Sequence, residues 1–124
     1  MNYNLQCWQT AVRYFQACWI DFSAEGLQVL FADDVEFQDA QSSINGKRSV
    51  LDAYVTNYFS RVDIAQTEIR KFDLVPESDG KILAKYSIKQ SQKVDTYASE
   101  LYQATEELTF DVRGLIVKIE RTRK

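Results

Sequence analysis

The sequence predicts an α+β fold, with helices gathered at the N-terminal end followed by a meander of long antiparallel strands whose one face the helices cover. Three observations predict it. Apolar residues recur at helical spacing through the first half of the chain. From about Ile64 onward the pattern changes to the two-residue alternation of strands. The strand-like half is broken by short turn signals at Pro76–Gly80 and Gly114 and by a looser connection near Asp95, as an antiparallel meander requires.

The first helix carries Trp8, Val12, Phe15 and Trp19 as one apolar stripe. Cys7, Ala11, Tyr14 and Cys18 form a second stripe, so the apolar arc is wide and predicts a helix embedded on more than one side. Ser23 suits the N-cap of a short second helix with Leu27, Leu30 and Phe31. Asp33-Asp34 reads as a two-carboxylate turn, followed by a strand over Val35–Asp39. Asn45-Gly46 signals a turn into a third helix with Val50, Leu51, Tyr54, Val55 and Tyr58.

In the second half, Pro76–Gly80 reads as a hairpin loop. Ile82, Ala84, Tyr86 and Ile88 then alternate with Leu83, Lys85, Ser87 and Lys89. A looser connection near Asp95 leads into a strand from about Ala98 to Asp111. After Gly114, Leu115, Val117 and Ile119 read as the inner face of the last strand. The opposite sheet face is polar enough to meet solvent or a second copy of the chain.

A length of 124 residues suits one domain over 1–124, with a sizeable core. Hydrophobic residues make up 45% and charged residues 27%, which excludes a disordered chain. A formal charge of -3 argues against a nucleic-acid footprint. Lys118, Arg121, Arg123 and Lys124 form the single basic cluster and read as a solvated strand end and tail. The absence of histidine removes Ser-His-Asp and Cys-His catalysis, histidine-ligated metals and histidine proton shuttles. Acid–base chemistry falls to Asp, Glu, Tyr or Lys, and no metal or cofactor site is expected.

Cys7 and Cys18 on one helix stand roughly 16 Å apart along its axis, whereas a disulfide needs Cα atoms within about 7 Å. They read as buried thiols in a reducing compartment. With no apolar run of membrane-spanning length and no secretory-type N-terminal segment, a cytoplasmic protein is expected.

Alternation leaves three polar groups on apolar faces: Asp39, Glu106 and Tyr14. Glu36 and Glu107 fall on the opposite faces and read as solvated. A carboxylate on an apolar face is costly unless paired, hydrogen-bonded or protonated, and such groups gather at functional sites. Each also has a plainer reading. Asp39 could cap the turn through Gln41 and Ser42. Glu106 could form a buried ion pair, or a bulge could turn it outward. Tyr14 could be a core tyrosine with a satisfied hydroxyl. Together they suggest a carboxylate base, with a hydroxyl and a protonated acid as donors to an enolate oxygen; ketosteroid isomerase, a worked case in general accounts of pKa tuning, follows this logic.

Arg13-Tyr14-Phe15, Leu30-Phe31-Ala32-Asp33-Asp34, the strand ending in Asp39, and Gly46 opening the third helix resemble the nuclear transport factor 2-like superfamily. Its ketosteroid isomerase-like and polyketide cyclase-like (SnoaL-like) branch is the nearest in pattern. Glu107-Leu108-Thr109-Phe110, the Gly114 turn and the apolar last strand extend the resemblance over nearly the whole chain. It implies a cone-shaped, cystatin-like sheet around an apolar pocket, and a homodimer formed through the outer sheet face. By position, the resemblance implies Asp39 as general base, Tyr14 and Glu106 as oxyanion donors, and Tyr54 as a supporting tyrosine. Phe37, Phe15, Trp19, Tyr86 and Tyr102 are the expected pocket walls. Ala40 stands where the isomerases usually have proline, and Glu106 stands where they have aspartate. The expected partner is an apolar small molecule, with isomerase- or cyclase-like chemistry or simple binding, and with no nucleic acid, membrane or cofactor.

Overall fold

A computed structural model describes residues 2–62, 67–92 and 95–123, with backbone alone for 92 and 95–99. The expected start of the strand half near Ile64 and the connection before Asp95 therefore lie outside the described residues, as does Lys124.

Helix α1 spans Tyr3–Gln16. The Asn2 side chain caps it by accepting from the Asn4 amide at 2.8 Å. The helix buries Cys7, Thr10, Ala11, Tyr14 and Phe15. Only the second of the two predicted stripes is fully covered: Trp8 is half-buried and Val12 is exposed. One face meets the sheet, and the other meets solvent, so the arc is narrower than its apolar content suggests. A wide π turn, Ala17–Asp21, continues α1 and buries Cys18 and Trp19. Phe22 closes it with φ 50°. Both cysteines are buried free thiols.

Ser23 caps α2 (Ala24–Gln28) as expected, its Oγ accepting from Gly26 at 3.0 Å. Phe31 already belongs to β1, Phe31–Gln38. Asp33 and Asp34 therefore sit inside a strand rather than in a turn. A register irregularity between Phe31 and Glu36 lets both project outward, where they are exposed. The short β2, Ser43–Asn45, precedes α3, Lys47–Tyr54, and a second π turn over Val55–Phe59 carries Asn57 and Tyr58.

The remaining strands are β3 (Glu68–Ser78), β4 (Lys81–Gln92), β5 (Asp95–Phe110) and β6 (Ile116–Arg123). The expected hairpin loop shrinks to Asp79-Gly80, with Gly80 at φ 76°, because β3 continues through Pro76 on an unpaired edge. The sheet order is β2-β1-β6-β5-β4-β3. It is open and mixed: β1 and β6 pair in parallel, while the other pairs are antiparallel. This amends the purely antiparallel expectation, since the strands β1 and β6, distant in sequence, lie side by side in the sheet.

The helices cover one sheet face. Ile82, Ala84, Tyr86 and Ile88 on β4 and Ala104, Glu106, Leu108 and Phe110 on β5 are buried there, as the alternation predicts. On β6 the buried residues are Ile116 and Ile119, while Leu115 and Val117 are half-buried. A register shift at Thr109/Phe110 changes the phase of that strand at its start. Beyond Ile119 the regular alternation brings Arg121 to the inner face. No helix among the described residues is long and apolar enough to cross a membrane.

Candidate functional site

Glu106 lies mid-strand on β5 and is fully buried. Its cross-strand neighbour on β6 is Arg121, whose Nε donates to Glu106 Oε2 at 3.2 Å. Tyr86 Oη donates to the same oxygen, and Tyr14 Oη donates to Oε1 at 2.7 Å. The Tyr14 proton is thereby used, so the 2.5 Å contact between Tyr14 and Tyr54 has the Tyr54 hydroxyl as donor. Arg121 Nη2 donates to Tyr54 Oη at 3.5 Å, closing the ring. The Arg121 guanidinium also lies 4.9 Å from the Phe37 ring centre and 5.7 Å from that of Tyr54.

The electrostatics follow from burial and this pairing. Burial holds the phenol pKa values of Tyr14, Tyr54 and Tyr86 well above their ordinary range, and the Glu106 carboxylate adds to the effect. Burial opposes the Arg121 charge, but Glu106 and the surrounding phenol oxygens more than offset it and raise its pKa. The cluster thus contains one cation and one anion, each satisfied by the other. Glu106 is an acceptor in an ion pair, not the neutral proton donor expected from the isomerase pattern. The cause is Arg121, a residue the sequence reading placed in a solvated tail. The signal that could have found it is the alternation itself, which carries Ile119 into Arg121 on the same face.

Beside this cluster lies a cavity of about 220 Å³. Its walls include Trp19, Phe37, Ile44, Tyr54, Tyr58 and Tyr102, with Asp39, Asn57, Gln90 and Arg121 as polar members. Of the expected catalytic residues, Asp39 lines the cavity, whereas Tyr14 and Glu106 do not. Of the expected walls, Trp19, Phe37, Tyr54 and Tyr102 line it. Phe15 and Tyr86 pack elsewhere, Phe15 at 4.8 Å from the Tyr14 ring and 4.9 Å from Phe72. Asn57, Tyr58, Gln90 and Ile44 join the lining unanticipated, because the second π turn, β4 and β2 that carry them lie apart in sequence and meet only in the fold.

Asp39 is half-buried just beyond β1. Its Oδ1 accepts from the amides of Gln41 and Ser42 at 2.8 and 2.7 Å, so it does cap the turn. Oδ2 has no hydrogen bond among the described residues. Asp39 follows the Gln38↔Glu120 pair of the parallel β1–β6 ladder, which sets it next to Arg121 in register. The two side chains nonetheless form no ion pair; Arg121 turns to Glu106 instead. The Trp19 indole N–H is buried without a hydrogen-bond partner among the described residues. An open cleft of about 690 Å³ outside the cavity shares Asp39, Tyr102 and Arg121 with it. Among the described residues no cluster of side chains suits a metal ion.

No family model matches the chain, and no curated protein matches it. Solved structures do. A protein from Xanthomonas campestris pv. campestris, provisionally named a polyketide cyclase, superposes with a TM-score of 0.81 at 10% identity, over 99% of this chain and 93% of its own. A protein from Bacillus subtilis, provisionally named an isomerase, gives 0.80 at 14% identity, over 100% and 90%. A nuclear transport factor 2-like protein of unknown function from Burkholderia pseudomallei gives 0.77 at 15% identity, over 96% and 91%. At these identities the likeness speaks for architecture rather than activity. The chain has the fold of the nuclear transport factor 2-like superfamily.

Proposed function

We propose that the chain is a small-molecule pocket protein whose cavity takes one compact amphipathic molecule. One observation carries this: aromatic walls and ionisable side chains share a single cavity, at the end of a rigid, charge-balanced network. The unpartnered Trp19 donor beside it supports the reading, since a buried donor without a partner costs about 1–3 kcal/mol. The size limits the occupant. About 220 Å³ falls below the roughly 300–1,000 Å³ of drug-sized sites, while a cavity of about 150 Å³ already takes benzene. A ring with a short polar arm fits; a larger ligand would extend into the outer cleft. Calorimetric titration with a panel of such compounds tests the reading. Micromolar to millimolar binding that Tyr58→Trp abolishes by filling the cavity is the expected result. Binding unaffected by that substitution would place the ligand elsewhere.

The position of Asp39 favours a second, catalytic reading. Two backbone amides fix Oδ1, Oδ2 has no hydrogen bond among the described residues, and the side chain lines the cavity. Asp39 would then remove a proton from carbon beside a carbonyl, as in the isomerases and cyclases. Arg121 would stand nearest the developing oxyanion, held in place by Glu106, whose carboxylate Tyr14 in turn fixes. A panel of enolisable ketones and steroids, offered to wild type and Asp39→Asn, tests this. Turnover that falls at least about a hundredfold in the variant supports it; turnover unchanged in the variant removes Asp39 as base.

A homodimer through the outer sheet face belongs to the same proposal. Val75 and Leu101 are exposed there among polar neighbours, and sedimentation equilibrium of wild type against Leu101→Glu would detect the association. The two buried free thiols suit a reducing, cytoplasmic setting.

A further inference from the structure

Asp39, just beyond β1, and Arg121, on the parallel strand β6, line the same cavity, yet they form no ion pair. Each is held by something else, Arg121 by Glu106 at 3.2 Å and Asp39 by two backbone amides. Arg121 carries five donor N–H groups, and its described hydrogen bonds use two. Asp39 keeps Oδ2 unengaged among the described residues. The cavity therefore presents a donor and an acceptor side by side, prevented from satisfying one another.

Charge counting narrows the partner. Arg121 is already compensated by the buried Glu106, so the group it meets need only be a neutral oxygen acceptor. Asp39 has no cationic partner among the described residues and leaves the lining with one uncompensated negative charge. A second anion in this space would meet that charge at short range, whereas a cation would neutralise it. The aromatic walls contributed by Trp19 and Tyr58 add apolar surface for the rest of the molecule.

We infer that the cavity is selective for a compact amino-carbonyl cation, with its carbonyl oxygen on Arg121, its ammonium on Asp39 and its apolar body among Trp19, Tyr58 and Ile44. Glu106 is a positioning residue, holding the guanidinium against Phe37 and Tyr54 so that its remaining donors stay available. This rests on the pocket reading above and adds the chemistry of the ligand to it.

Four size-matched probes test the inference by calorimetric titration: phenylalaninamide, phenylalanine, 3-phenylpropanamide and phenethylamine. Phenylalaninamide, with both ammonium and neutral carbonyl, is expected to bind tightest. Removing the ammonium or the carbonyl should each weaken binding at least about tenfold, and phenylalanine should be weakened by its carboxylate facing Asp39. Asp39→Asn should abolish the preference for the ammonium while leaving the preference for the carbonyl. Arg121→Gln alone would strand Glu106, so the carbonyl preference is tested in the double variant Arg121→Gln, Glu106→Gln, with near-ultraviolet circular dichroism reporting that it folds. Loss of the carbonyl preference in the double variant supports the assignment. If 3-phenylpropanamide or phenylalanine binds as tightly as phenylalaninamide, the inference is overturned while the pocket reading stands. If none of the four binds, both fall.

Discussion

Replacing Glu106 by glutamine removes one charge from the interior and leaves its partner behind. The carboxylate is fully buried and accepts from Tyr14 at 2.7 Å, from Tyr86 and from Arg121 at 3.2 Å. A glutamine has one acceptor oxygen for these three donors, and its amide nitrogen meets at least one of them donor to donor. The Arg121 side chain is 19% exposed, so water screens the stranded guanidinium only weakly. Removing one partner of a buried ion pair costs about 3–5 kcal/mol. Arg121 keeps its contact with Tyr54 and two aromatic rings, which places the expected loss near the lower end, about 3 kcal/mol. For a chain of this length each kcal/mol moves the midpoint by about 4 °C, so thermal melting should fall by about 12 °C. Urea and thermal denaturation followed by far-ultraviolet circular dichroism measure both quantities. The double substitution Glu106→Leu with Arg121→Met should recover stability to within about 1 kcal/mol of wild type, because it removes both charges together. A single glutamine variant within about 1 kcal/mol of wild type would refute the view that this pair is desolvated and mutually dependent.

Two further outcomes follow from the same interior. Burial holds the phenols of Tyr14, Tyr54 and Tyr86 protonated well above their ordinary range. The unfolded chain releases these protons from about pH 10 upward while the folded chain retains them, so stability falls above that pH by about 1.4 kcal/mol per pH unit for each tyrosine and is unaffected by them below it. Tyrosinate absorbance from the buried rings should therefore appear together with the loss of circular dichroism; ionisation of all seven tyrosines before unfolding would contradict the network. Gly114 has φ 78°, and a Cβ there would stand 2.8 Å from Gln6 Cγ, whereas Gly46 at φ 95° has open space around it. Gly46 at φ 95° and ψ 141° holds a backbone nearly closed to a residue with a Cβ, and Gly114→Ala adds the Gln6 clash to its own positive φ, so each alanine variant should cost about 1–3 kcal/mol. A urea midpoint unchanged in Gly114→Ala would show that Gln6 yields freely and that the positive φ carries no strain.

What was legible in the sequence is what depends on near neighbours. The alternation of β4 and β5 assigned Ile82, Tyr86, Leu108 and Glu106 to the buried face, because strand geometry repeats every two residues wherever pairing is regular. The Ser23 cap and the glycine turn at Gly114 were readable because each acts within a few residues. Val12 was misread because a helix stripe is apolar whether or not anything covers it. Asp33 and Asp34 were misread because an outward irregularity in a strand and a turn present the same short run of acids.

The sequence by itself determined the α+β class, the inward Glu106 and the presence of Asp39 at the end of a strand that faces the interior. Only the tertiary structure decided what those carboxylates do. The parallel pairing of β1 with β6 joins positions some 80 residues apart in the chain, and it sets Arg121 beside Asp39 while β5 offers it Glu106. Which carboxylate a cation chooses depends on distance and desolvation across strands, and neither quantity is written in local periodicity. Arg121 turning to Glu106 converted a predicted proton donor into half of an ion pair, and left Asp39 without an ion-pair partner among the described residues.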